Sequence, residues 1–196
     1  MIEARNISIG YPGREVLHGL TFRVSDGECV LLRGSNGSGK TTLLRTIAGT
    51  LKPLSGSLVA GNVIMVPSRI PKVKGFTVRD FVATATWHMA ISDTEDAAIA
   101  KALDDVGIGN MAGRDISTLS DGEFQKACIA AALVRESDTL LLDEPTAFLD
   151  VESRMAVMEL LKKISRSGKA VLFSSHDIYD AERICDRTID ISSNGR

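Results

Sequence analysis

With 196 residues, 44% of them hydrophobic and 24% charged, the chain has the make-up of an ordinary globular protein long enough for one domain with a proper core. Its formal net charge of −2 leaves no basic footprint of the kind nucleic-acid binding requires, so no nucleic-acid partner is expected. Three scattered cysteines, Cys29, Cys128 and Cys185, match neither a disulfide framework nor a zinc site and suit a reducing compartment. Residues 1–5 lack the start of a secretory leader, and no apolar run reaches about 18 residues, so neither a signal peptide nor a spanning helix is predicted.

Residues 1–27 read as antiparallel β structure. Residues 2–9 and 16–24 are strand-like, separated by the turn Tyr11-Pro12-Gly13 and closed by Asp26-Gly27. Tyr11 ends the first strand, where its ring could stack on a nucleobase or simply shield the strand end. Residues 28–32 form a short apolar run, the pattern of a buried parallel strand. Residues 42–48 carry apolar side chains at helical spacing, and Gly49 follows as a C-cap.

Between that strand and that helix stand Gly34, Ser35, Asn36, Gly37, Ser38, Gly39, Lys40, Thr41 and Thr42, which contain the pattern G-x-x-x-x-G-K-S/T. Glycines let backbone N–H groups approach a polyphosphate with no Cβ in the way, and the helix N-terminus adds partial positive charge. Lys40 would place a point charge on the β- and γ-phosphates, and the Thr41 hydroxyl would ligate Mg²⁺. A chance glycine-rich turn would not come with strand, loop and helix in this order, so the chain is expected to bind a nucleoside triphosphate.

Two short strands, 58–60 and 63–66, follow around Gly61-Asn62, and 67–75 reads as a loop with Arg69, Lys72 and Lys74. From Thr77 the pattern turns helical, with Val78, Phe81 and Val82 on one face and Trp87 and Met89 after them. A second amphipathic helix covers 93–106, and Gly107, Gly109 and Gly113 break it. The stretch 75–90 could be a core of its own or a surface on which a membrane protein's helix docks, and both readings stand.

Residues 119–123 form a loop leading into a helix from Phe124 to Val134. Residues 139–142 are an apolar strand that ends in Asp143 and Glu144. That ending fits the Mg²⁺-binding carboxylate of a P-loop NTPase followed by a general base that polarises the attacking water. Asp150 reads as the N-cap of a helix running to about Arg166, and residues 170–173 as another buried strand, with His176 just past its end. His176 could contact the γ-phosphate or the water. A last helix from about Ile178 and a strand at 188–191 close the chain. Strands alternating with helices imply a mainly parallel α/β sheet whose ligands sit at the C-terminal strand ends, where the glycine-rich loop, Asp143, Glu144 and His176 all fall.

Taken together, these motifs resemble the nucleotide-binding subunit of ATP-binding cassette (ABC) transporters over essentially the whole chain. Residues 34–42 look like its Walker A motif, and Leu119-Ser120-Asp121-Gly122-Glu123 is similar to its L-S-G-G-Q signature. Residues 140–144 match Walker B with its catalytic Glu144, 147–150 look like the D-loop, His176 like the switch histidine and Tyr11 like the adenine-stacking aromatic. The wording of 119–150 is similar to ATPases of iron-complex and cobalamin importers. The chain departs from the pattern at Asp121, at Glu123, and at Ser68, which stands near the usual Q-loop glutamine and is too short to do its work.

The resemblance implies an ABC ATPase fold in a single domain over 1–196. A P-loop core with its antiparallel β part would take 1–66 and 134–196, and a helical signature subdomain 67–133. It implies hydrolysis of Mg²⁺-bound ATP, with Thr41 and Asp143 at the metal and Glu144 and His176 at the reaction. Two ATPs would be sandwiched in a head-to-tail dimer, a homodimer being expected, in which Ser120 and Gly122 of one copy contact the γ-phosphate held by the other. Implied partners are transmembrane permease subunits and a substrate-binding protein, on the cytoplasmic face of the cell membrane. The alternative is a soluble ABC ATPase of assembly, repair or translation. The single cassette, the lack of a coiled-coil insertion and the net charge weigh against it.

Overall fold

The computed structural model describes residues 1–86, 93–175 and 178–192. The strands are β1 (Ile2–Tyr11), β2 (Arg14–Val24), β3 (Cys29–Arg33), β4 (Ser55–Ala60), β5 (Val63–Val66), β6 (Thr139–Leu142), β7 (Ala170–Ser174) and β8 (Arg187–Asp190). The helices are α1 (Lys40–Ile47), α2 (Val78–Ala83), α3 (Asp93–Asp105), α4 (Asp121–Leu133), α5 (Val151–Arg166) and α6 (Ile178–Ile184), with short 3-10 turns between some of them. Trp87, Met89 and His176 lie outside the described residues.

The chain divides into two compact units. The first comprises Met1–Ser68, Ser137–Ala147 and Met158–Arg196. Among its described residues the strands form an antiparallel sheet in the order β2-β1-β4 and a parallel sheet in the order β5-β6-β7-β3-β8. The parallel order follows from composition: β6 and β7 are buried along their whole length, and β3 along all but Arg33, as their Leu- and Val-rich runs require. In β1, Ile2, Ala4, Ile7 and Ile9 are buried, and the register shift between Ala4 and Ile7 is where Asn6 takes a φ of 49°. Leu43, Leu44 and Ile47 of α1 share one buried cluster with these β1 residues and with Leu32, Leu141 and Leu172.

The strands on either side of Gly61-Asn62 do not form a hairpin. β4 pairs with β1, whereas β5 pairs in parallel with β6, so the Gly-Asn step carries the chain from one sheet to the other. The sheet order also sets up the site. β7 lies between β6 and β3, so the residue at its C-terminal end falls between the ends of those two strands.

The second unit comprises Arg69–Glu136 and Phe148–Val157. Its core is aliphatic with one aromatic pair: Val78, Val82, Ile99, Leu103 and Ile129 are buried, and the Phe81 and Phe124 rings sit 5.8 Å apart. Phe81 is therefore a packing residue, while Phe76 stays exposed. The sequence assigns 148–157 to the core with the flanking strand, but here the start of α5 belongs with α4. The two approach closely at Gly122, where a Cβ would come 2.7 Å from Ser153 Oγ. Each unit seals one cysteine: burial pushes the Cys29 thiol up to about 12 in the first, and the Cys128 thiol up to about 12 in the second. Among the described residues, no helix is long and apolar enough to cross a membrane.

Candidate active site

In the first unit the loop between β3 and α1 is shaped by glycines that the fold cannot replace. Gly39 caps α1 with φ 101°, and a Cβ there would come 2.7 Å from Val16 Cγ1. At Gly34 a Cβ would stand 2.3 Å from Ser38 Oγ. No side chain caps α1, so the N–H groups of its first turn face the loop unspent, the arrangement that receives anions. Lys40 folds back over this loop: its amine donates to the Gly34 carbonyl at 2.8 Å and the Ser35 carbonyl at 3.2 Å, and the residue is only 7% exposed.

Beside the loop, a side chain from the start of α1 is wired to two at strand ends. The Thr41 hydroxyl donates to Asp143 Oδ2 at 2.8 Å, and the Ser174 hydroxyl donates to Asp143 Oδ1 at 2.9 Å. Ser174 also accepts from the Glu144 N–H at 2.9 Å. The pairing of Leu142 with Phe173 dictates this, because it sets Ser174 beside Asp143. Glu144 takes a φ of 54°, a left-handed conformation rare for a residue with a side chain and characteristic of functional sites. That turn aims its carboxylate towards Lys40, with Oε1 3.8 Å from Nζ.

These groups open on a cavity of about 430 Å³. Its walls are Tyr11, Arg14 and Val16 from the β1–β2 hairpin, Asn36, Gly37 and 39–42 from the loop and helix start, Ser68 after β5, and Asp143 with Glu144. Nine of the residues singled out in the sequence therefore meet in one place. Gly34, Ser35 and Ser38 shape the loop behind it: the Ser38 N–H closes a turn on the Ser35 carbonyl at 3.1 Å, and the Ser38 hydroxyl is buried without a partner. The hard oxygens of Thr41 and Asp143, meeting at the wall of a cavity that also offers Lys40, are a donor set that fits Mg²⁺ beside a polyphosphate. His176 lies outside the described residues.

Three wall residues, Arg14, Val16 and Ser68, were not singled out as site residues, and neither was one positioning residue, Ser174. Arg14 pairs directly with Tyr11 across the turn, so it was findable from the hairpin that the Pro12-Gly13 step predicts. Ser68 was known only as a departure from a family pattern. Ser174 gave no local signal at all, because its role depends on which strand lies next to β6.

The signature residues belong to the second unit. Ser120 is the N-cap of α4, and the structure forms a full capping box: Ser120 Oγ accepts from the Glu123 N–H at 3.2 Å, and Glu123 Oε2 accepts from the Ser120 N–H at 2.8 Å. The Ser120 N–H, with help from its hydroxyl and from Arg114, holds the Glu123 carboxyl below the usual carboxylate range. Asp150 caps α5 in the same way, accepting from the Ser153 N–H at 2.8 Å, and that bond lowers its carboxyl. Phe148 in the D-loop has φ 68° and is 81% exposed.

Comparison with known proteins agrees with this geometry. The family model described as ABC transporter matches residues 17–147. The chain is 31% identical over 208 aligned residues to the achromobactin transport ATP-binding protein CbrD of Dickeya dadantii (strain 3937), covering 96% of this chain and 77% of that one. It is 33% identical to the Nod factor export ATP-binding protein I of Rhizobium meliloti (strain 1021), covering 95% of this chain but 60% of that longer protein. A metal-chelate type ABC transporter solved in an inward-facing conformation superposes with a TM-score of 0.88 at 27% identity, over 97% of this chain and 79% of that one. The chain belongs to the ABC transporter family, as an ATP-binding subunit and an ATPase.

Proposed function

We propose that the chain is the energising subunit of a membrane transporter, that its cavity holds ATP, and that Glu144 drives hydrolysis. The single observation that carries this reading is the wired set of Lys40, Thr41, Asp143 and Glu144 around one cavity. Tyr11 and Arg14 would hold the nucleoside end, and the loop N–H groups and the Lys40 amine the β- and γ-phosphate oxygens. Thr41 and Asp143 would hold Mg²⁺, which supplies charge neutralisation at those oxygens. Glu144 would take a proton from the water as its oxygen bonds to the γ-phosphorus, while the bond to the bridging oxygen breaks and leaves ADP. His176 completes the reading as a contact to the γ-phosphate.

One copy holds only half of this site. Ser120 and the Gly122 backbone of a second copy would close over the γ-phosphate, making a head-to-tail homodimer with two ATPs between its members. Its opening after hydrolysis would drive permease subunits at the cytoplasmic face of the membrane. The exposed Phe148 supports a surface that meets another copy. The likeness to a metal-chelate type transporter and to an achromobactin transport subunit supports a metal chelate as cargo. Cargo choice itself would lie in the permease and a substrate-binding protein. The whole chain would act as one ABC ATPase domain, with 67–133 as its helical part.

Glu144→Gln tests the reading. The variant should keep ATP affinity, lose turnover by roughly 10²- to 10⁴-fold, and elute as a dimer on gel filtration with ATP present. Turnover near that of the parent would end the general-base assignment.

A further inference from the structure

The signature of this chain puts two carboxylates, Asp121 and Glu123, in the first turn of α4. If that turn is to meet the γ-phosphate of an ATP held by another copy, the electrostatics are adverse. A helix N-terminus offers the equivalent of about +0.5 charge, which two carboxylates outweigh. Each carboxylate, however, has its own cation. Lys72 Nζ lies 2.7 Å from Asp121 Oδ1, and Arg114 Nη1 lies 3.6 Å from Glu123 Oε1.

The lysine does more than pair. The same Lys72 amine donates to the Leu119 carbonyl at 2.8 Å and sits 5.5 Å from the centre of the Phe124 ring. It thus grips the residues immediately before and after Ser120. Its side chain is 26% exposed against 66% for Asp121, so the cation is the sheltered member of the pair and the carboxylate the one turned to solvent. Arg114 copies the pattern more loosely, donating to the Thr118 carbonyl at 3.3 Å as well as pairing with Glu123.

We propose that Lys72 is a positioning residue for the ATPase reaction, neutralising Asp121 and fixing the Leu119–Asp121 backbone so that Ser120 and Gly122 can receive a triphosphate from a second copy. This rests on the dimer reading above and explains how the signature tolerates aspartate where glycine is usual. Loss of the lysine leaves a bare carboxylate facing a polyanion. Loss of both members leaves nothing to neutralise.

The test is made in the Glu144→Gln background, where ATP holds the dimer without turnover, with the dimer dissociation constant measured by sedimentation. Lys72→Met should weaken the dimer roughly tenfold at low salt, and the deficit should shrink as added salt screens the carboxylate. Lys72→Arg should stay close to the parent. The double change Lys72→Met with Asp121→Asn should recover most of the loss, falling short of the parent only by what the Leu119 carbonyl contact supplies, an outcome that loss of packing alone would not give. A Lys72→Met dimer as tight as the parent, or a double variant as weak as Lys72→Met, overturns the proposal while leaving the sandwich standing. If the parent background itself gives no ATP-dependent dimer, the sandwich reading fails and this proposal falls with it.

Discussion

On the reading proposed above, the phosphate-loop site of one copy and the signature turn of another would meet one triphosphate, yet the two are held in opposite ways. In the first, the buried Asp143 and Ser174 are bonded to each other and the buried Lys40 amine to the Gly34 and Ser35 carbonyls, so each of these polar groups has a fixed partner. In the second, Ser120, Asp121 and Glu123 stand at an exposed helix start and are held by a capping box and by surface cations. The buried arrangement gains strength from low dielectric and loses badly when one member goes. The exposed one is individually weak, screened by salt, and tolerant of substitution when charges change in pairs. The lesson is that this chain keeps its chemistry rigid and leaves its docking surface adjustable.

The sharpest way to break the contrast is at Ser174, which does not line the cavity but bonds to both carboxylate residues that do. Ser174→Ala removes the donor to Asp143 and leaves the Glu144 N–H without its acceptor. We expect kcat to fall by roughly 10- to 100-fold with a much smaller change in KM for ATP, measured by steady-state phosphate release. Parental kcat would mean that the left-handed turn at Glu144 is held without it.

How much of this was legible beforehand differs between the two regions for the same physical reason. The phosphate loop, the strand into Asp143 and Glu144, and the cap at Asp150 are local patterns, because neighbours in sequence do the work. Ser174, the parting of β4 from β5, and the Lys72–Asp121 pair depend on residues that meet only once strands and helices have chosen neighbours. The bond from Ser174 to Asp143 spans 31 positions and the one from Lys72 to Asp121 spans 49. The left-handed φ of Glu144 leaves no trace in composition at all, since glycine is the residue that would have advertised it. Arg14 lies between these cases: the predicted turn Tyr11-Pro12-Gly13 ends just before it, and the two-residue step that forms instead sets it opposite Tyr11.

A gentler probe acts on the second unit. Gly122 is read from the family pattern as a backbone donor to phosphate, but the fold needs it for a different reason as well, the approach of Ser153. Gly122→Ala should lower stability by about 1–3 kcal/mol through that overlap, read as a drop in the thermal midpoint without nucleotide. The double change with Ser153→Gly should recover most of it, and no recovery would put the cost in the helix turn itself.

The smallest effect separates the regions by pH. Asp150 and Glu123 have carboxyls lowered by the Ser153 and Ser120 N–H groups respectively. Because the folded values lie below the unfolded ones, their contribution is present in full only above the unfolded values, about pH 5 and higher, and is lost as pH falls through the folded values. Denaturant unfolding followed from neutral to acid pH should show this loss. Asp150→Asn, which caps without titrating, should flatten its share of the slope. An unchanged slope would assign the acid loss to other carboxylates.

The sealed thiols carry a practical consequence. Cys29 and Cys128 are buried and pushed up to about 12, so at neutral pH neither presents a thiolate to an alkylating reagent while the chain stays folded. Only the half-buried Cys185 competes. A single replacement at Cys185 therefore gives a background in which a cysteine introduced at the exposed Phe148 can carry a fluorophore alone. The distance between two such dyes would follow the association and parting of two copies in real time.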